Sequence, residues 1–368
     1  MITPPIPELR LQIRSVQAHA VSVPRRKALA LGGGITNSAF VIVEVATEQG
    51  ITGMSCAYCA LPLAQKPLVE FLKAMDEPLR GASALPAVLK ENLTSRFRLF
   101  GTQGVAGLVV SALDNAAWDA LAKAAGLPLV RLLGGEPKPI SAYATFGIGL
   151  LGAERTAEGA ARLVEDGFRA VKVRLGYEDP GTEVALIRAV RQAVGPEVRM
   201  LCDYNQSLSV QEAIARGRLL DEEGMTWIEE PVAATDDAGM ARVARELNTP
   251  IQAGENYWSP QEMNRALCAG AFDCVMPDVS RIGGVTGWMQ CAAIAAANGI
   301  PISSHLMPEI SAHLLSVAAN RHWLEYVDWL NPILRSPLRI DAGAAIPGDA
   351  AGTGLEFDED AVRSFLVP

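Results

Sequence analysis

From Ile140 onward the chain alternates short apolar runs with helical stretches, and this rhythm constrains the fold more than any other feature. The runs are ISAYAT, FRAVKVR, VRMLCDYN, TWIEEP, PIQAGEN, FDCVMPD, PISSH and HWLEY. Each closes on polar residues and leads into a segment of helical spacing. Strands that alternate with helices form a parallel sheet through right-handed crossovers. Eight such units between residues 136 and 335 predict a closed (β/α) barrel, not an open sheet.

The region before the barrel, residues 1–135, is of mixed α+β character. In FVIVEVATEQGITGMS the alternation around Val41, Val43 and Val45 breaks at Gly50 and resumes at Ile51, which predicts a hairpin turning at Glu-Gln-Gly. Apolar residues then recur at helical spacing from Val105 to Ala125, with Gly126 and Pro128 as stop signals. The segment 336–368, rich in Gly, Ala, Asp and Pro, is expected to return to the first domain.

Bulk properties exclude several functions. A net charge of −9 without a basic block argues against nucleic acid and anionic membranes. No run of about 18 apolar residues is present, and MITPPIPELR lacks the basic-then-apolar order of a signal peptide, so a cytoplasmic location is expected. The six cysteines lack the spacing of a disulfide framework, and Cys56-x-x-Cys59 has no answering pair that would complete a zinc site.

Barrel strands run parallel, so their C-terminal ends meet in one ring at one mouth. Lys172, Asp203, Glu229, Glu255, Asp278 and His305 follow one another at 31, 26, 26, 23 and 27 residues, each interval a single βα unit. Asp203, Glu229 and Glu255 would form a row of like charges that needs a counter-cation. Oxygen ligands without cysteine or paired histidine favour Mg²⁺, or else Mn²⁺. Asp278 beside His305 would orient the ring and leave its second nitrogen as a general base. His313 and His322, read as helical, and His19 in the first domain are expected to be structural.

Lys172 and Arg174 share one strand face and point into the barrel, while Val171 and Val173 pack outward. Two cations facing a metal would hold a substrate carboxylate. The chemistry implied is removal of the proton α to that carboxylate, with the metal and cations stabilising the enediolate.

The motifs MLCDYNQSL, TWIEEP, QAGENYWSPQEM, MPDVSRIGGVTGW, PISSHLMPEISAHLL and HWLEYVD, with ALDNAAWDALAK in the first domain, resemble the mandelate racemase subgroup of the enolase superfamily. The resemblance spans about residues 10 to 365. It implies an α+β capping domain over a modified (β/α)₇β barrel, a Mg²⁺ site, a small carboxylate substrate and a homo-oligomer. It also implies that Asp203, Glu229 and Glu255 hold the metal and that His305 with Asp278 is the base. Glu325 would hydrogen-bond the developing enediolate, Lys172 and Thr145 would lie at the substrate carboxylate, and Asn205 near its α-hydroxyl. Residues 24–37 would form a flap, with Gly32 to Gly34 allowing it to move. Its Ala and Leu residues suit an apolar lid, whereas Arg25, Arg26 and Lys27 suit a second carboxylate; Phe146 would narrow the pocket.

One residue departs from the pattern. The racemase carries Lys-x-Lys where this chain has Lys172-Val173-Arg174, and guanidinium is a poor proton acceptor near neutrality. Racemisation needs a base on each face of the α-carbon, while a dehydratase needs only one. The residues therefore favour an acid-sugar dehydratase using His305. A racemase or epimerase with Arg174 as second base, and a non-catalytic carboxylate-binding homologue, remain as alternatives.

Overall fold

The computed structural model describes residues 10–25, 36–145 and 149–367. Most of the expected flap, including Arg26, Lys27 and Gly32 to Gly34, lies outside the described residues, as does Phe146.

The chain begins with an antiparallel sheet of β1 (Ile13–Pro24), β2 (Asn37–Thr47) and β3 (Thr52–Cys59), in the order β1-β2-β3. The β2–β3 turn falls at Glu48-Gln49-Gly50, where Gly50 adopts a φ of +79° that a side chain would strain. The helix Gly104–Ala125 packs on this sheet and stops at Gly126, in the left-handed region. Gly53 permits the close approach: a Cβ there would stand 2.0 Å from the Ala116 carbonyl oxygen. By length and mean composition this helix is apolar enough to cross a membrane, although Asp114 and Asp119 interrupt its apolar run. However, 78% of its most apolar stretch is buried inside the fold, as in a core helix.

The barrel follows. Its strands are β4 (Ile140–Thr145), β5 (Ala170–Arg174), β6 (Arg199–Asp203), β7 (Ile228–Glu229), β8 (Ile251–Ala253), β9 (Cys274–Val275) and β10 (Leu324–Tyr326). Neighbours from β4 to β9 pair in parallel, and β10 pairs in parallel with β4 to close the ring. Helices between the strands cover the outside, several opened by side-chain caps such as Asp179 on Thr182 and the reciprocal Ser209–Glu212 pair. Val171 and Val173 pack outward into the main core, as their alternation with Lys172 and Arg174 requires.

Several expected strands are shorter or less regular than the sequence suggests, FDCVMPD yielding only Cys274–Val275. TWIEEP yields only Ile228–Glu229, because Glu230 takes a φ of +37° and Pro231 has no N–H to donate. PISSH forms no ladder and joins its neighbours by single bridges, Val275 to Ile302 and Ile302 to Arg321. Serine hydroxyls share the bonding there: Ser304 Oγ accepts from Glu325 N at 3.2 Å, and Ser303 Oγ donates to Gln252 Oε1 at 3.0 Å. His322 is not helical but sits in the extended run before β10, its ring 5.4 Å from that of Trp227. His313 is helical and buried, and His19 is exposed on β1.

The C-terminal segment first adds a hairpin to the barrel, β11 (Arg339–Asp341) with β12 (Ala344–Ile346), and β12 pairs antiparallel with β4. It then reaches the first domain. Thr353 donates twice to Asp119, and Ser22 N donates to the Phe365 carbonyl at 2.9 Å. All six cysteines are free thiols, with Cys56 packed 3.9 Å from the Met307 sulfur.

Candidate active site

Because the strands are parallel and in register, Arg174 stands beside Asp203 and Asp203 beside Glu229 at the barrel mouth. These ends open into a cavity of about 590 Å³ beneath the first domain. Thr145, Lys172, Arg174, Asp203, Asn205, Glu255, His305 and Glu325 line it, with Tyr58, Arg281 and Trp329. Glu229 and Asp278 lie just behind, buried, each bonded to a lining residue. The structure thus brings Thr145, Lys172, Arg174, Asp203, Asn205, Glu229, Glu255, Asp278, His305 and Glu325 to one place.

Lys172 is the hub. Its Nζ lies 2.6 Å from Glu229, 2.8 Å from Glu325 and 3.6 Å from Asp203, and 5.5 Å above the Tyr143 ring. Burial favours the neutral amine, but Glu229, Glu325, Tyr143 and Asp203 outweigh it and hold its pKa well above the ordinary lysine value. Glu229 is pushed up by burial and by Asp203, Glu325 and Glu255, against the pull of Lys172. Glu325 moves the other way: Lys172 and His305 outweigh its burial and hold it below the usual carboxylate range. It accepts from Leu306 N at 3.1 Å, so as it stands it is an acceptor.

His305 Nδ1 lies 2.9 Å from Asp278 Oδ2, and Asp278 Oδ1 accepts from Ser280 N at 2.7 Å. The other ring nitrogen, Nε2, lies 3.1 Å from Glu255 and 3.7 Å from Glu325. Burial opposes the charged ring, yet Glu255, the Asp278 hydrogen bond and Glu325 lift its pKa to about 9. Arg174 Nη2 lies 3.2 Å from Asp203. Thr145 Oγ1 is buried and unpartnered among the described residues, a hydroxyl awaiting a polar ligand.

Among the described residues no three acidic, histidine or cysteine side chains stand ready-made around one point for a metal. Lys172 and His305 hold the carboxylates instead. The donor set still fits a hard divalent cation. Asp203, Glu229 and Glu255 offer only oxygens from successive units, and five acidic residues crowd three fixed cations, Lys172, Arg174 and Arg281, and one imidazole.

Sequence reading missed the scaffolding. Glu183 accepts from Gly176 N, Tyr177 N, Arg216 and the Tyr204 hydroxyl, which pins the loop after Arg174. Arg281 donates to the Glu255 carbonyl at 3.0 Å and to Asn256, which in turn donates to Glu230. Tyr58 and Trp329 carry no spacing signal, because they come from the first domain and from beyond β10.

A closed barrel with a carboxylate-rich mouth beneath an α+β cap defines a class of proton-abstracting enzymes, and comparison with known proteins gives the family. Residues 14–134 match the mandelate racemase/muconate lactonizing enzyme N-terminal domain, and residues 155–361 match the enolase C-terminal domain-like family. The chain belongs to the mandelate racemase/muconate lactonizing enzyme family of the enolase superfamily. It is 30% identical to the L-talarate/galactarate dehydratase of Salmonella typhimurium, over 89% of this chain and 83% of that one. It is 29% identical to the arabinonate dehydratase of Saccharolobus solfataricus, over 92% of this chain and 94% of that one. An enolase from Bradyrhizobium, crystallised with magnesium and mandelic acid, superimposes with a TM-score of 0.92 at 40% identity, covering 100% of both chains. An L-talarate dehydratase from Polaromonas, complexed with Mg and L-glucarate, gives 0.88 at 26% identity, over 97% of this chain and 98% of that one.

Proposed function

We propose that this enolase-superfamily enzyme abstracts the α-proton of a hydroxycarboxylate and eliminates water from an acid sugar. The observation that carries the reading is the asymmetry of the mouth: the His305–Asp278 dyad offers one base, and Arg174 offers a fixed cation.

Asp203, Glu229 and Glu255 would hold Mg²⁺, which supplies Lewis-acid stabilisation of charge gathering on the substrate carboxylate. Lys172 and the free Thr145 hydroxyl hold that carboxylate, and Asn205 lies at the α-hydroxyl. As it stands the ring holds its proton; with Glu255 engaged by the metal instead, His305 Nε2 would be free to take the α-proton, and Asp278 would stabilise the imidazolium that results. Glu325 can donate a hydrogen bond only once protonated, which a second carboxylate brought beside it favours. The imidazolium then returns its proton to the departing β-hydroxyl. The α-C–H and β-C–O bonds break, a C=C bond forms, water leaves, and the enol becomes a 2-keto-3-deoxy acid. Free thiols at all six cysteines suit a reducing cytoplasm.

The related dehydratases support this reading. A racemase is the second reading, favoured by the mandelic acid in the Bradyrhizobium neighbour, because mandelic acid has no β-hydroxyl to lose. Proton NMR in D₂O with Mg²⁺, against acid sugars, tartrates and both mandelate enantiomers, decides between them. Loss of an α-signal with a 2-keto-3-deoxy product, abolished by EDTA, is expected. Deuterium exchange in both enantiomers without elimination would sink the dehydratase.

A further inference from the structure

Arg25 is the last described residue of the first sheet's edge, and its backbone N–H donates to the Thr36 carbonyl at 2.8 Å. The residue is 7% exposed. Cζ lies 4.3 Å from the centroid of the Trp329 ring, Nε donates to Ser38 Oγ at 2.8 Å, and Nη2 donates to the Tyr58 hydroxyl at 3.4 Å. Among the described residues Nη1 is buried with no hydrogen-bond partner, and the bonds the guanidinium does make go to hydroxyls, not to a carboxylate. A buried cation held by hydroxyls and ring faces, with N–H groups unused, is expensive unless an anion meets it. Its two aromatic neighbours, Tyr58 and Trp329, also line the cavity that holds Lys172, Arg174 and His305.

We infer that Arg25 receives a second, terminal carboxylate of the substrate, so that the enzyme selects hydroxy diacids over hydroxy monoacids. The inference deepens the dehydratase reading and rests on the same cavity. Lys172 serves the carboxylate beside the reacting carbon, and Glu229, Glu325 and Asp203 already neutralise it. Among the described residues Arg25 has no such anion, and its planar fork matches a carboxylate. The wall formed by Tyr58 and Trp329 shields the pair from water, which strengthens it.

The test is calorimetric binding and turnover of hydroxy diacids and monoacids of equal chain length, galactarate against galactonate first, with wild type, Arg25→Lys and Arg25→Met. Wild type should favour the diacid by about tenfold to a hundredfold, the worth of a charge-assisted hydrogen bond. That ratio should collapse toward one in Arg25→Met and recover in part in Arg25→Lys. Equal wild-type affinities, or an equal loss for both acids in Arg25→Met, would overturn the inference. If Arg25→Met does not fold, the wild-type ratio and its partial retention in Arg25→Lys decide. A diacid preference in binding without α-proton exchange sinks the dehydratase reading and leaves the subsite standing; elimination without a diacid preference does the reverse.

Discussion

His305 Nδ1 is bonded to Asp278 Oδ2 at 2.9 Å, and this one contact fixes which nitrogen of the ring faces the substrate. Replacing the carboxylate by an amide keeps the shape but removes the charge that favours Nδ1–H and the imidazolium. Asp278→Asn should therefore lower kcat by about 100-fold with little change in KM. Steady-state kinetics check this, with the rate of α-deuterium exchange as a second readout. A KM effect alone would place Asp278 in binding.

One helical turn separates two buried groups whose linkages to pH oppose each other. Burial pushes Glu309 up to about 7, and both its carboxylate oxygens are unpartnered among the described residues. Burial pushes His313 down to about 4. The native state therefore holds the Glu309 proton that the unfolded chain releases, and that stability is lost as pH rises from about 4.5 to about 7. For His313 the sign reverses: its stability is present above about 6.5 and lost as pH falls toward 4. Each shift is about 2.5 units, on the order of 3 kcal/mol, so the two contributions nearly cancel across the overlap. Urea denaturation between pH 4.5 and 7 should show Glu309→Gln gaining stability relative to wild type as pH rises and His313→Leu losing it relative to wild type. Parallel slopes in the two variants would contradict this account.

Glu183 binds Arg216 at 2.8 Å while tying down Gly176 and Tyr177 beside the mouth. Arg216→Met would leave a buried carboxylate without its cation, at a cost of about 3–5 kcal/mol. The double variant Glu183→Gln with Arg216→Met should recover part of that loss. Chemical denaturation measures both. If the single variant loses less than the double, Arg216 is not what balances Glu183.

What the sequence revealed and what it hid differ for a physical reason. A parallel barrel turns regular spacing along the chain into proximity in space, so Lys172, Asp203, Glu229, Glu255, Asp278 and His305 could be gathered without coordinates. Lys172 and Arg174 could be assigned to one face because strand side chains alternate. Arg281 and Glu183 act through hydrogen bonds to backbone, which leave no periodic trace. Trp329 and Tyr58 meet Arg25 only because the first sheet folds over the barrel. The irregular PISSH run was read as a strand since its apolar start fits one. Its serine hydroxyls, sharing backbone hydrogen bonds, break the ladder.

Arg174 stands 3.2 Å from Asp203, across the mouth from the dyad, and the choice between elimination and racemisation turns on it. A guanidinium there can bind and stabilise charge but gives up its proton poorly. A lysine at the same strand position keeps the positive charge, and desolvation can make it a base. Arg174→Lys should therefore retain elimination within about tenfold and gain slow α-deuterium exchange in the epimer that wild type leaves untouched. Arg174→Met should lose kcat/KM by about 100-fold or more, since it removes a charge-assisted contact from a partly buried site and leaves Asp203 short of a partner. Proton NMR in D₂O on both epimers reads all three proteins. If wild type already exchanges both epimers and Arg174→Met stops exchange in only one, then Arg174 is the second base, and the enzyme is a racemase or epimerase.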